Sequence, residues 1–175
     1  KLNNLTATAD YGSNQYMINL SAGVPVEVEK NHFFTPTASI QYTLVDNETY
    51  TEQGAGTANL RVAQDEVHQA LGIFGFKYHT HYQDDRAMFT PELRASVVYD
   101  FAGDDGVSTS IFNGGGAAFQ VTGNDVVELG WRAGAGLSYM PLKDMQGLTV
   151  AANYDLWAKE DFVSHSANLS VRLDF

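Results

Sequence analysis

From His165 to Phe175 the chain alternates without a break. Ala167, Leu169, Val171, Leu173 and Phe175 are apolar, and the interleaved Ser166, Asn168, Ser170, Arg172 and Asp174 are polar. A strand sends successive side chains to opposite faces, so this segment has one apolar wall and one polar wall. The same pattern recurs upstream. Ile18, Leu20 and Ala22 alternate with Asn19 and Ser21, and Phe34 to Leu44 alternate with Thr35, Thr37, Ser39, Gln41 and Thr43. Phe89 to Phe101 alternate with Thr90, Glu92, Arg94 and Ser96, Trp131 to Tyr139 with Arg132, Gly134, Gly136 and Ser138, and Leu148 to Leu156 with Thr149, Asn153 and Asp155. No segment sustains a helical period of 3.6, so the chain is predicted to be all-β.

The pattern predicts ten strands, at 2–10, 14–29, 33–45, 55–62, 66–80, 87–101, 107–121, 126–140, 147–158 and 163–175. Most exceed the roughly five or six residues of a soluble strand and suit a tilted bilayer crossing of about nine to eleven. Segment 66–80 is ambiguous, because Leu71 and Ile73 compete with Phe74, Phe76 and Tyr78 for the apolar face. Asn113-Gly-Gly-Gly116 reads as a bulge or kink within 107–121. Short turn-rich pieces such as Tyr11–Asn14, Gln83–Arg86, Gly123–Asp125 and Lys143-Asp144 make up-and-down hairpins the simplest connectivity, with Asp46–Gly54 a longer loop. No linker or low-complexity tract divides residues 1–175, which are read as one domain.

Alternation alone fits two constructions: a soluble barrel with its apolar face inward, or a membrane barrel with that face in lipid. Three features favour lipid. Only 18% of the residues are charged and 12% are aromatic, a low charge for a water-soluble domain. Aromatic residues crowd the strand ends (Tyr16, Phe34, Tyr42, Phe89, Tyr99, Phe101, Tyr139), as the interfacial girdles of a membrane barrel require. Mid-strand apolar positions are often small (Ala38, Ala95, Ala133, Ala135, Ala152), which underfills a soluble core but is harmless against acyl chains. No run of about 18 apolar residues occurs, so no transmembrane helix is predicted. The net charge of −11, with no basic cluster, argues against nucleic acid. The absence of cysteine excludes disulfides and thiolate sites. No signal peptide is present, so the sequence is expected to be a mature or truncated piece.

Several motifs, in order, are more specific. They are the Thr35-Pro36 entry to a strand, the run Tyr50-Thr-Glu-Gln-Gly-Ala-Gly-Thr-Ala-Asn-Leu-Arg-Val62, Ala70-Leu-Gly72, Thr90-Pro-Glu-Leu-Arg94 and Gly114-Gly-Gly-Ala-Ala-Phe-Gln-Val121. Gly134-Ala-Gly-Leu-Ser-Tyr139, Asn153-Tyr-Asp155 and the terminal Val171-Arg-Leu-Asp-Phe175 follow. The series resembles the β-barrel translocator domain of type V autotransporters, most closely from about residue 33 onward. The resemblance implies an antiparallel up-and-down transmembrane β-barrel of twelve strands in the bacterial outer membrane, of which about ten are visible here. Its pore would hold a helical segment leading to a secreted passenger, so the first hairpin, pore helix and passenger are expected to be missing from this sequence. Pairing of residues near 2–10 with 163–175 is one way to close the seam, since open edges in lipid are costly. The family needs no cofactor. Its implied partners are outer-membrane lipid and lipopolysaccharide, the barrel-assembly machinery and the chain's own passenger segment. The alternating terminus, with Leu169, Val171, Leu173 and Phe175, would be the assembly signal. A free-standing small barrel acting as a pore or adhesion protein is the alternative function.

With a periplasmic carboxyl terminus, Tyr11–Asn14, Asp46–Gly54, Gln83–Arg86, Gly123–Asp125 and Lys159–Phe162 would be extracellular. Glu29–His32, Ala63–Asp65, Ala102–Gly106 and Pro141–Gln146 would be periplasmic turns. The candidate functional residues are the charged members of the polar face: Arg61, Glu92, Arg94, Glu128, Arg132, Asp155 and Arg172. They are expected to line a hydrated, charge-balanced lumen. No catalytic or metal site is predicted. His79 and His81 share a face but lack a third ligand. Ser164 and Ser166 point away from His165 in a strand, and no G-x-S-x-G motif is present. The acidic groups Asp46 with Glu48, Asp84-Asp85 and Glu160-Asp161 read as solvated loop charge.

Overall fold

The long alternating segments pair antiparallel in the computed structural model, which describes residues 5–143, 147–160 and 162–174. Its strands are β1 (Ser13–Gly23), β2 (Val26–Glu29), β3 (His32–Asn47), β4 (Tyr50–Thr51), β5 (Leu60–Gln64), β6 (Val67–Thr80), β7 (Tyr82–Gln83) and β8 (Ala87–Asp100). They continue with β9 (Val107–Phe112), β10 (Phe119–Thr122), β11 (Leu129–Pro141), β12 (Leu148–Lys159) and β13 (Phe162–Leu173), and a short 3-10 turn, Gly56–Ala58, precedes β5. The larger sheet runs β1-β3-β6-β8-β11-β12-β13, with β2 added to β3 and β7 to β8. Neighbours along this path follow one another in the chain, so the connectivity is up-and-down. A smaller sheet runs β10-β9-β5-β4.

The chain divides into two compact units. The first gathers the residues up to Ile18, Gln41–Ala70 and Ala102–Val126; the second gathers Asn19–Ile40, Leu71–Phe101 and the residues from Val127 onward. In the second unit the register fixes the faces. Leu93 stands opposite Ala135, Pro91 opposite Leu137 and Val97 opposite Trp131, and Leu137 and Ala152 continue to Leu169. This apolar face is open: Leu20 is 70% exposed, Leu93 56%, Trp131 55% and Leu169 71%. A water-soluble protein does not leave so large a contiguous apolar surface uncovered. Phe74, Phe76 and Tyr78 oppose Val97, Ala95 and Leu93, which settles the ambiguous strand: they belong to the open face. Leu71 and Ile73 fall on the other face beside Val98, which is fully buried. Aromatic pairs mark both ends of β8, Phe89 with Tyr139 at one and Tyr99 with Phe101 at the other.

Seven of the ten expected strands join the larger sheet, and the other three do not. Among residues 5–10 the chain makes only one isolated bridge, Thr8 to Gln53, so this stretch does not pair with the carboxyl-terminal strand. Segment 55–62 holds the 3-10 turn and part of β5. Segment 107–121 is a hairpin of its own: Asn113–Gly116 turns the chain, with Gly115 and Gly116 at φ 92° and 122°, and β10 folds back on β9. The orientation also changes. The His81 N–H donates to Asn31 O, Leu142 N–H to Arg86 O and Asp174 N–H to Gly147 O. These bonds gather the turns near Asn31, Gln83–Arg86 and Gly147 at the end of the sheet where the chain finishes. Gln83–Arg86 is therefore a periplasmic turn when the carboxyl terminus is periplasmic. The chain enters β6 and leaves β8 at the opposite ends of those strands, so under the same orientation Ala63–Asp65 and Ala102–Gly106 are not at the periplasmic ends of β6 and β8.

In the first unit β5 pairs with both β4 and β9, burying Val62 and Ala55. The turn that leads into β9 is tied by one carboxylate. Asp104 accepts the His68 N–H at 2.9 Å and the Gly106 N–H at 3.1 Å. Those two donors hold its carboxyl below the ordinary carboxylate range. A depressed folded value means that the tie is complete above the ordinary range and is lost as pH falls through the lowered value. The His68 and Gly106 amide proton resonances are expected to titrate together in acid, and Asp104→Asn to flatten both curves. Independent titration of the two amides would break the assignment.

Candidate functional site

The polar face of the larger sheet is built by the same register that defines the open one. Glu92 stands opposite His79 and Gly136, Arg94 opposite Lys77 and Gly134, and Gly134 in turn opposite Asp155. Arg94 pairs with Glu92 on its own strand and reaches across β11 to Asp155 at 2.9 Å and to the Asn153 amide oxygen at 3.3 Å. Lys77 closes the chain on Glu92 at 3.1 Å. One network therefore joins β6, β8 and β12, passing over the glycines of β11 between the last two. Glycine on β11 makes the crossing possible. A Cβ at residue 134 would overlap Asp155 Oδ1 and lie 3.1 Å from the Arg94 guanidinium, and one at residue 136 would lie 2.5 Å from Asn153 Oδ1. With part-exposed members in each pair, the network is worth far less than its Coulomb terms suggest, about 1 kcal/mol per pair.

Beside it, the Arg132 guanidinium lies 3.7 Å from the centre of the Trp157 ring, and the Lys159 ammonium is 6.0 Å from the same ring. Lys159 also donates to Val127 O at 2.9 Å. Arg132 Nε is buried without a hydrogen-bond partner. The stacking arrangement supplies the attraction that a carboxylate supplies to Arg94.

The structure thus brings together Glu92, Arg94 and Asp155, with Arg132 on the same face. Arg172 pairs with Asp174 at 2.8 Å on the edge strand β13. The Glu128 carboxylate accepts the Tyr99 hydroxyl. Arg61 lies on β5 in the first unit, not on the larger sheet, which carries Glu92, Arg94, Arg132, Asp155 and Arg172; Glu128 lies just before β11. Leu169, Val171 and Leu173 share the open face of β13, each more than half exposed; Phe175 lies outside the described residues. Sequence reasoning missed Lys77, Asn153 and Trp157. Alternation with Phe76 and Tyr78 places Lys77 on the face opposite theirs, the polar one, and shared parity with Asp155 places Trp157 there.

The histidines are paired or stacked. His32, His68 and His165 are hydrogen-bonded through Nδ1 to Tyr78, Tyr42 and Tyr154 at 2.6–2.8 Å. His165 therefore engages a tyrosine rather than a serine. His79 stacks on Phe33 and His81 bonds Thr90. Among the described residues no group of three or more metal-ligating side chains forms a site.

An apolar open face, aromatic ends and a charged opposite face in an up-and-down sheet define a transmembrane β-barrel class. A family model, the autotransporter beta-domain, matches residues 2–155. The chain belongs to that family: it is a non-enzymatic translocator barrel of the bacterial outer membrane. It is 31% identical over 96 residues to outer membrane protein A of Rickettsia conorii, covering 55% of this chain and 5% of the relative. It is 24% identical over 177 residues to outer membrane protein B of Rickettsia prowazekii, covering all of this chain and 10% of the relative. The chain thus spans a tenth or less of the length of these relatives.

Proposed function

We propose that this barrel anchors an amino-terminal passenger in the outer membrane and helps it to the cell surface through a hydrated lumen. Glu92, Arg94, Arg132, Asp155 and Arg172 line that lumen, with Lys77 and Asn153 completing the wall. The observation that carries the reading is the charge network on the face opposite the open apolar one. Lys77 and Arg94 are balanced there by Glu92 and Asp155, and Arg132 is held by the Trp157 ring, so the wall stays wet and offers little free charge with which to hold a passing segment. Leu169, Val171, Leu173 and Phe175 present the edge motif that the barrel-assembly machinery reads. Lipopolysaccharide and phospholipid cover the apolar face between its aromatic ends.

The test separates export from assembly. Glu92→Gln with Asp155→Asn leaves Lys77 and Arg94 unbalanced while nearly preserving side-chain volume. The barrel is expected to assemble, by its heat-modifiable mobility, with a loss of about 1–3 kcal/mol for the three weakened pairs. Passenger display per folded barrel, followed by protease accessibility after a pulse of synthesis, is expected to slow severalfold. An unchanged display rate per folded barrel would reduce the network to a structural filler.

A further inference from the structure

The edges of the smaller sheet are unlike. Its β4 edge is partly covered, because Thr8 and Gln53 exchange both backbone hydrogen bonds at 2.8–2.9 Å. Its other edge, β10, has no backbone partner beyond β9 among the described residues. The Gly123 N–H donates to Gly106 O, and Val121 stands opposite Ser108 two residues earlier. The alternation of antiparallel bonding therefore turns the N–H and C=O groups of Gln120 and Thr122 outward. All four residues of β10 are exposed, with Val121 at 55%.

Natural edges are normally blunted by lysine, proline or a bulge. Here the register of β9 and β10 is regular, and Phe119-Gln-Val-Thr122 contains neither charge nor proline. No charged residue occurs between Val107 and Asn124, the longest uncharged run in a chain whose net charge is −11. In the larger sheet such runs answer to lipid, but this one lies in the first unit, in a hairpin between β8 and β11. Acidic repulsion opposes contact between copies everywhere except at such a patch.

We infer that β10 is a self-association edge, which pairs antiparallel with β10 of a second copy of this chain. A two-fold axis at Val121 sets Gln120 opposite Thr122 of the partner strand, so the outward backbone groups satisfy one another. It also places the two Val121 side chains in a close non-hydrogen-bonded pair, continuing the apolar patch that Phe112 and Phe119 begin.

The absence of cysteine makes the test clean. Val121→Cys is introduced into the otherwise unaltered protein, purified in detergent micelles and mildly oxidised, with Glu160→Cys in an exposed turn as the collision control. The expected result is a covalent homodimer at position 121 and little at 160. Adding Thr122→Pro, whose lost N–H is not used in the pair with β9, should abolish the dimer while heat-modifiable mobility is retained. A photo-crosslinking phenylalanine analogue at Phe119 identifies the occupant: attachment to the 119–124 segment of another copy supports the inference. Monomer alone, equal dimer at both cysteines, or attachment to another segment or another protein overturns it.

Discussion

Gly75→Ala is expected to cost about 3 kcal/mol and to reduce the folded barrel sharply, although it adds one methyl group in the middle of a strand. Gly75 stands directly opposite Ser96 on β8. A Cβ there would overlap the Ala95 carbonyl oxygen and lie 2.5 Å from Ser96 Cβ and 2.9 Å from Ser96 Cα. Two of those neighbours are backbone atoms of a paired strand, so relief requires separating β6 from β8 and weakening the bonds between them. Gly72→Ala is the informative contrast. Its Cβ would meet Phe101 Cε2 at 2.6 Å, an equally forbidding distance, but Phe101 is 68% exposed and its ring is free to swing. That variant is expected to lose under about 1 kcal/mol. Urea unfolding of the two variants in lipid vesicles decides the matter. Equal midpoints would show that the close approach of β6 and β8 is not a constraint on the folded barrel.

The faces of this protein were legible in its sequence because parity is a local property. Leu93, Trp131, Leu137 and Leu169 fall on one side whatever their strands pair with, and alternation alone gives that shared side; that the side is open is what the structure adds. Pairing is not local. Segments 55–62 and 107–121 alternate less cleanly than their neighbours, but nothing in their periodicity says that they join each other as β5 and β9 rather than the larger sheet. Gly114–Gly116 was visible as an interruption, yet a bulge and a reversal share the same glycine signal. The ends of the sheet suffered for the same reason. Once the apparent crossing at 107–121 leaves the count, the turn at Gln83–Arg86 changes sides.

The polar network was half legible. Glu92, Arg94 and Asp155 follow from parity and charge, but their contact depends on register, which puts glycine between the arginine and the aspartate. Gly134 and Gly136 read only as members of an alternating strand. Their physical role, to let a long side chain on β8 pass over β11, depends on which residue lies across from them. Lys77 was hidden by the competing apolar residues around it.

Leu93→Trp and Leu93→Arg together test what touches the apolar face. Leu93 lies near the middle of β8, opposite Tyr78 and Ala135. If acyl chains cover it, a larger apolar side chain meets a fluid that makes room, and Leu93→Trp is expected to stay within about 0.5 kcal/mol of the parent. A packed interior allows no such room, and overfilling it costs about 1–3 kcal/mol. Leu93→Arg distinguishes depth. At the bilayer midplane an outward arginine costs about 2–4 kcal/mol, falling to roughly 0–1 near the interfaces. The same change at Leu129, the first residue of β11 and beside Tyr99 at the strand end, should therefore cost much less. Reversible unfolding in vesicles measures all three variants. The lipid assignment requires tolerance of tryptophan and depth-dependent intolerance of arginine at once. Destabilisation by Leu93→Trp comparable to that by Leu93→Arg would put a packed protein interior against this face, and the opposite, charged face would then not be the wall of a lumen.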